Sequence, residues 1–384
     1  MGEPVILEAA RTPIGRRNGA LRAWRPDALY ARVLDALLER TGVDPGLIGD
    51  VVTGCVTQVG EQGANVGRLA VLLSRLPQEV PAVTLNRMCG SSQQAVHFAA
   101  QAIAAGDLDF AIAGGVESMT RVPMFSDIGG GFSTLNPALF QRYELVHQGE
   151  SAERIAERYG FCREELDEWG YLSHKRAAQA EREGRFLGQL VPVEGLDAEG
   201  RPFLLARDEG VRPDVDYERM LSLKPVFREN GVVTAGNSSQ ISDGAAAVLL
   251  GDREKALALG LRPRARFLAR VVVAGDPTLQ LLEVIPAAKR ALEKARRSIR
   301  DVDVIEVNEA FASVVLAFLR ELGPDPERLN PNGGAIAHGH PLGATGAVLM
   351  TKLLHELERT GGEFGLQVMC IGHGQATATV IQRI

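Results

Sequence analysis

The sequence predicts an α/β protein made of two similar βαβ-rich halves with a different region inserted between them. Three observations carry this reading. Strand-like and helix-like stretches alternate along the chain. Their order in the first half returns in the second. The stretch between, roughly Ser118 to Ser242, keeps neither the order nor the spacing. A chain of 384 residues has ample length for a large buried core, and 42 scattered glycines suit many tight turns.

The first half opens on "PVILEAA", which reads as a strand. "DALYARVLDALLERTG" has the helical period from Asp27, with Gly42 placed to stop it. "IGDVVTGCVTQ" and "AVTLN" are short strands. "SSQQAVHFAAQAIAAG" is a helix stopping near Gly106, and "DFAIAGGVES" a buried strand that runs into glycines. In the second half "IPAAKRALEKARRSI" is a helix and "DVDVIEVNEA" a strand. "GHPLGATGAVLMTKLLHELERTG" then takes the place of the helix after Cys89, and "FGLQVMCIGHG" the place of "LDFAIAGGVES". Strands joined through helices imply a mostly parallel sheet in each half.

In the insertion, "SAERIAERYGFCREELDEWGYLSHKRAAQAEREGRF" reads as two charged amphipathic helices joined near Gly160. The first starts near Ser151, where Ser151 and Arg154 make half a capping box. "GLDAEGRPFLLARDEGVRPDVD" has no clear period and reads as surface loop. Such a region suits a loop domain over a site or at a subunit contact.

The net charge of −6 gives no general attraction to nucleic acid or anionic lipid, so an anionic ligand needs a local cluster. No apolar run approaches the roughly 18 residues of a membrane span. The N-terminus lacks the basic-then-apolar pattern of a secretory signal. The expectation is a cytoplasmic protein with reduced thiols. None of Cys55, Cys89, Cys162 and Cys370 makes a C-x-x-C pair, and a small buried hydrophobe is the usual role of such a residue.

Four stretches could carry chemistry. Cys89 lies where an extended segment gives way to a helix, so unsatisfied N–H groups and the helix dipole can lower its pKa. Gly90 would let a substrate approach the backbone. "NPNGGAIAHGHPLGATG" is a glycine-rich turn with two histidines, His338 and His340. Either could serve as a base near neutral pH. A metal pair would need further ligands that the sequence does not supply. The stretch lacks the G-K-[ST] of a P-loop, and "AGGVES" fails G-x-G-x-x-G. "VMCIGHGQA" ends a buried strand at a second cysteine, Cys370. "VNEAFAS" places Asn308 at a strand-to-helix junction, where an ordinary helix cap is the simpler role. Cys89, Asn308, His340 and Cys370 all fall at the C-terminal ends of strands in a duplicated plan, which is where α/β folds gather their chemistry.

Read together, "NRMCGSSQQAV", "GGVESM", "TAGNSSQISDGAAA", "VNEAFA", "GGAIAHGHPLGATG" and "CIGHGQA" resemble the thiolases, nearly end to end and in order. The resemblance implies a duplicated fold layered αβαβα, with an N-terminal domain at 1–117 plus 243–261, an inserted loop domain at 118–242 and a C-terminal domain at 262–384. It implies a CoA-dependent acyltransferase that cleaves 3-ketoacyl-CoA, or condenses in reverse, through an acyl group on Cys89. His340 would take the Cys89 proton. Asn308 would hold a water that forms one oxyanion hole with His340. Cys370 would be the second acid and base, and the N–H groups of Cys89 and Gly372 the second oxyanion hole. Ser239 and Arg212 would contact coenzyme A, and Phe227, Ala310 and Phe311 would line an apolar slot. Coenzyme A enters as co-substrate, with no metal or permanently bound cofactor, and the partners are acyl-CoA and CoA. A homotetramer or homodimer is implied, with no nucleic-acid or membrane partner.

Three residues depart from the family pattern. His373 replaces a glycine of the last motif, at a cost of about 1 kcal/mol if φ is positive there; the other reading is a position that tolerates side chains, with His373 lining the site entrance. His338 stands in place of an aliphatic residue. Gln148 replaces a methionine of short-chain biosynthetic relatives, which would widen the acyl pocket and favour a degradative enzyme. The alternatives are a biosynthetic acetoacetyl-CoA thiolase, a ketoacyl synthase of the same fold, and a non-catalytic acyl-CoA-binding protein. Cys370 and "NEAF" favour thiolase over synthase.

Overall fold

The computed structural model describes residues 2–129 and 131–384. Its strands are β1 (Pro4–Arg11), β2 (Gly15–Arg16), β3 (Ile48–Gly54), β4 (Ala82–Leu85), β5 (Phe110–Ser118), β6 (Val193–Leu196), β7 (Pro202–Leu205), β8 (Ser242–Asp252), β9 (Ala265–Ala274), β10 (Val304–Val307), β11 (Phe364–Ile371) and β12 (Gln375–Arg383).

One hydrogen-bonded path runs β10-β11-β12-β9-β1-β8-β5-β3-β4. It contains the same order twice. In the first half β3 and β5 are parallel, while β8 is antiparallel to both β5 and β1. In the second half β10 and β11 are parallel, while β12 is antiparallel to both β11 and β9. The duplication read from the sequence is therefore present strand for strand, with β4 as an extra edge of the first half. The halves meet where β1 pairs β9 at Val5↔Arg266 and Ile6↔Ala265.

The expectation of mostly parallel sheets is corrected by β8 and β12. β12 returns beside β11 through a short turn, β8 returns beside β5 only after the whole insertion, and the strand–helix alternation of the sequence passes over both. The fully buried run of β8, "SDGAAAVLLGD", lacks the period-2 alternation that marks a half-exposed strand.

The helices Ser91–Ala105 and Thr345–Thr360 form the central layer. Their Ala95, Ala99, Ala100, Ala347, Leu353 and Leu354 share one core with residues of both halves of the sheet, including Ala113, Val248 and Ile381. Small side chains let two helices fit between two sheet faces at native packing density. The outer faces are covered by Pro26–Thr41 and Val66–Leu73 on the first half, and by Val284–Ala295 and Ala312–Leu322 on the second. The result is five layers, αβαβα. Helix ends obey local rules: Pro26 occupies a first-turn position, and Gly42 closes that helix at φ +66° with its N–H on the Leu38 carbonyl.

The insertion holds the helices Gln148–Tyr159 and Arg163–Arg182, with Gly160 between them as expected. The first begins at Gln148 and not at Ser151, because the His147 ring caps it by accepting from Gly149 N–H. "GLDAEGRPFLLARDEGVRPDVD" is also corrected. Its start pairs as the β6–β7 hairpin, with Asp197 bracing the turn by accepting from the N–H groups of Glu199 and Arg201. Exposed Phe203 and Leu204 hide the alternation that would have marked it.

Three buried histidines and the half-buried His355 make stability pH-dependent. Burial is the main cause that pulls His97 down to about 3, and His174, His340 and His355 to about 4 each. In an unfolded chain they titrate near 6.5. The unfolded state thus binds more protons between those values, and stability falls as pH drops through that window. From pH 7 to pH 5 each ring costs about 2 kcal/mol. The urea midpoint should decline steeply over that range; a flat midpoint would show that the rings accept protons in place.

Candidate active site

Cys89 sits in a short elbow between β4 and the helix Ser91–Ala105. Met88 just before it adopts φ +45°, a left-handed turn that reverses the chain. Ser91 locks the elbow by accepting from Arg87 N–H at 2.9 Å and donating to the Met88 carbonyl at 2.6 Å. Asn86 accepts from Met88 N–H and donates to the Val56 carbonyl. The role of Gly90 differs from the expected substrate approach. A β-carbon there would stand 2.3 Å from Ile371 Cδ1, so the glycine lets the elbow press against the end of β11. That contact brings Cys89 beside Cys370.

The expected low pKa of Cys89 does not hold in the resting protein. Burial and the Cys370 thiol push it up to about 12, against its own backbone N–H and the Gln148 amide, which favour the thiolate. The helix end alone does not overcome removal from water. Burial likewise pushes Cys370 up to about 11. Both are thiols at neutral pH, so the Cys89 proton must leave as attack begins.

His340 is built to take a proton. Its backbone N–H donates to Gln240 O and to Ser242 Oγ. The Thr345 hydroxyl gives its single proton to the Pro341 carbonyl at 2.9 Å, so its 2.6 Å contact with His340 Nδ1 requires Nδ1–H as donor. Nε2 is then left with its lone pair. It is buried without a hydrogen-bond partner. Burial holds the ring neutral by pulling its pKa down to about 4.

Asn308 is not a helix cap, because the helix after it starts at Ala312 with Phe311 at the cap position. Its Nδ2 donates to Cys370 Sγ at 3.5 Å, and its Oδ1 is buried without a partner. Two bare acceptors, His340 Nε2 and Asn308 Oδ1, are the kind of unpaired buried group that marks a working site.

Carboxylates the sequence reading passed over hold these pieces. Glu117, fully buried in "GGVESM", accepts from the N–H groups of Val56, Thr57 and Gly343 and from Gln62. It thereby ties the first half to the His340 turn. Glu309 accepts from Trp169, Ser173, Asn330 and Ile336 N–H, joining the insertion to the "GGAIAH" segment. Gly346 lets the two central helices approach closely: a β-carbon there would lie 2.3 Å from Gln93 N on the opposing helix.

The two histidines of the H-x-H face different partners. His338 Nδ1 meets Asp208 at 2.8 Å and Nε2 meets the Asn332 carbonyl at 2.8 Å. Burial, joined by the nearby cations Lys352 and Arg11, holds the ring's pKa below its usual value against the pull of Asp208. Arg11 completes the cluster on Asp208. His338 thus anchors the insertion to the His340 loop and stands outside the cavity lining.

A cavity of about 690 Å³ joins the remaining residues. Cys89, His340, Gly372, Ser239, Arg212, Phe227, Ala310 and Phe311 all line it, with Cys370 and Asn308 buried directly behind Cys89. Apolar walls come from Val56, Met88, Met119, Met124, Ile128 and Phe132. Arg16 and Arg17, which the sequence reading missed, add two exposed cations. His373 lines the cavity at φ +60°, so the left-handed position and the lining role hold together. Gln148 is more than a pocket wall, since its amide favours the Cys89 thiolate. No group of three or more residues suited to a metal was found among the described residues.

With this geometry in place, comparison with known proteins gives a consistent result. Residues 4–254 match the model of the thiolase N-terminal domain and residues 261–383 that of the thiolase C-terminal domain. The chain is 45% identical to a steroid 3-ketoacyl-CoA thiolase of Mycobacterium tuberculosis, over 100% of the chain and 95% of that protein. It is 44% identical to a 3-oxoadipyl-CoA/3-oxo-5,6-dehydrosuberyl-CoA thiolase of Escherichia coli, with both chains fully covered. A crystal structure of the Bacillus anthracis acetyl-CoA acetyltransferase superposes with a TM-score of 0.91 at 36% identity, covering 100% of this chain and 99% of that one.

Proposed function

The chain belongs to the thiolase family, and on that premise we propose that it cleaves 3-ketoacyl-CoA with CoA, giving acetyl-CoA and a shortened acyl-CoA. The observation that carries the residue roles is the meeting of two buried thiols with a neutral histidine whose Nε2 is bare.

In this reading Cys89 gives its proton to His340 Nε2 and its sulfur attacks the C3 carbonyl. The alkoxide is held by a water on Asn308 together with the protonated His340. The C2–C3 bond breaks, and the enolate of acetyl-CoA, held by the Cys89 and Gly372 N–H groups, takes the Cys370 proton at C2. Acyl-Cys89 remains. The CoA thiol then passes its proton to the Cys370 thiolate and attacks the thioester, and His340 returns its proton to Cys89. Atoms and protons balance, and each anion forms where donors are fixed in advance. Ser239 and Arg212, joined by Arg16 and Arg17, are assigned to coenzyme A, with its phosphates near the arginines. Phe227, Ala310 and Phe311 are assigned to its apolar slot.

The apolar cavity supports a range beyond C4 substrates, in a degradative enzyme of fatty-acid type. Turnover across 3-ketoacyl-CoA esters from C4 to long, branched and carboxylated chains should show activity on several longer esters. A strict C4 profile would overturn this and favour the biosynthetic reading. The domain limits 1–117 with 243–261, 118–242 and 262–384, a cytoplasmic location and a homodimer or homotetramer belong to the same proposal and rest on the family likeness. Among the described residues no helix is long and apolar enough to cross a membrane.

A further inference from the structure

Gln148 opens the helix Gln148–Tyr159 and faces the cavity beside Cys89. Its Nε2 lies 2.7 Å from the point where a β-carbon on Gly372 would stand, so the amide rests on the turn that follows Cys370. The amide and the Cys89 sulfur line the same cavity, and the amide favours the Cys89 thiolate. Its placement is braced from below. Gln280 donates to the Val146 carbonyl and to Ser151, while its oxygen accepts from His373 N–H at 2.8 Å. The Gly372–His373 turn and the start of this helix are thus held by one side chain. On the other side the His147 ring stacks on Phe227 at 5.3 Å.

We propose that Gln148 is a catalytic residue of the thiolysis described above: its side-chain amide donates to the Cys89 sulfur as the thiolate forms and holds that sulfur against the Gly372 turn. The amide keeps both of its protons throughout. The Cys89 proton goes to His340, and the new charge on sulfur is shared by the amide N–H and the backbone N–H of Cys89. Burial and the Cys370 thiol oppose that charge; besides the imidazolium that His340 becomes, the amide and the Cys89 backbone N–H are the groups that favour it. A charge-assisted hydrogen bond is therefore a further means of support. Methionine would fill the same space and offer no donor.

The test is the pH dependence of Cys89 alkylation by iodoacetamide in wild type, Gln148→Met and Gln148→Glu. Peptide mass spectrometry separates Cys89 from the exposed Cys162. Thermal melting identifies any variant that has lost its fold, and the other variant then carries the test. Gln148→Met should move the profile up by about one pH unit and slow alkylation at neutral pH about tenfold. Gln148→Glu should move it further, because a carboxylate repels the thiolate. In steady state Gln148→Met should lower kcat about 10- to 100-fold with the KM for CoA little changed. Superimposable alkylation profiles in the folded variants would overturn the proposal and leave Gln148 as a wall of the acyl pocket. Alkylation needs no CoA ester, so a shifted profile in a protein without thiolase turnover would count against the reaction and still support the contact.

Discussion

Cys89→Ala is expected to lower kcat for CoA-dependent cleavage by at least about 10⁴-fold. The substitution removes one sulfur and leaves the elbow intact, because Asn86, Ser91 and the Gly90 contact with Ile371 make no use of that sulfur. The surrounding cluster of Met119, Leu342, Leu349 and Ile371 loses little apolar contact. Stability should therefore change by no more than about 2 kcal/mol. CoA should still bind, since the residues assigned to it lie elsewhere along the cavity. The check is steady-state turnover on a panel of 3-ketoacyl-CoA esters, with CoA binding followed by calorimetry. Turnover retained in the variant would remove Cys89 from the reaction.

Cys370→Ala separates the two thiols. If Cys370 protonates the departing enolate and later takes the CoA proton, kcat for cleavage should fall by about 10²- to 10⁴-fold. Transfer of an acetyl group from acetyl-CoA to Cys89 makes no carbon acid or enolate and asks Cys370 only to protonate the departing CoA thiolate, a far weaker base than an enolate, so that half-reaction should lose much less than cleavage does. Loss of the neighbouring thiol also removes one of the groups that hold Cys89 protonated. Alkylation of Cys89 at neutral pH should then quicken. A variant with wild-type kcat would return Cys370 to the role of a buried strand residue, where its complete burial gives it good packing.

Much of this site is legible in the chain because its residues fall at junctions between periodic segments. Cys89, Asn308 and Cys370 each interrupt a strand-to-helix or strand-to-turn boundary, whereas His340, expected at a strand end, lies in the turn between the helices Ala335–His338 and Thr345–Thr360. What stays hidden depends on contacts between distant segments. Glu117 looks like any acid after a glycine pair until Gly343, 226 residues away, is seen to donate to it. Thr345 sets the tautomer of His340 through a hydroxyl whose proton is already committed to Pro341. Neither relation has a sequence period. The pKa of Cys89 was misjudged for a related reason: a helix N-terminus is visible in sequence, whereas burial beside a second thiol is not. The antiparallel β8 and β12 were missed because strands buried on both faces lose their alternation, so their return direction is set by tertiary pairing. Gly90 shows the same limit on a smaller scale, since its partner Ile371 lies on the opposite half.

The central claim is that the acyl group rests on Cys89 between the two half-reactions. It is tested most directly by mixing the enzyme with a 3-ketoacyl-CoA in the absence of CoA, quenching in acid and mapping adducts by peptide mass spectrometry. The account predicts the shortened acyl group on the Cys89 peptide, with one acetyl-CoA released for each site acylated. An adduct on Cys370 or another residue, or turnover with no acyl-enzyme at any time, would contradict it.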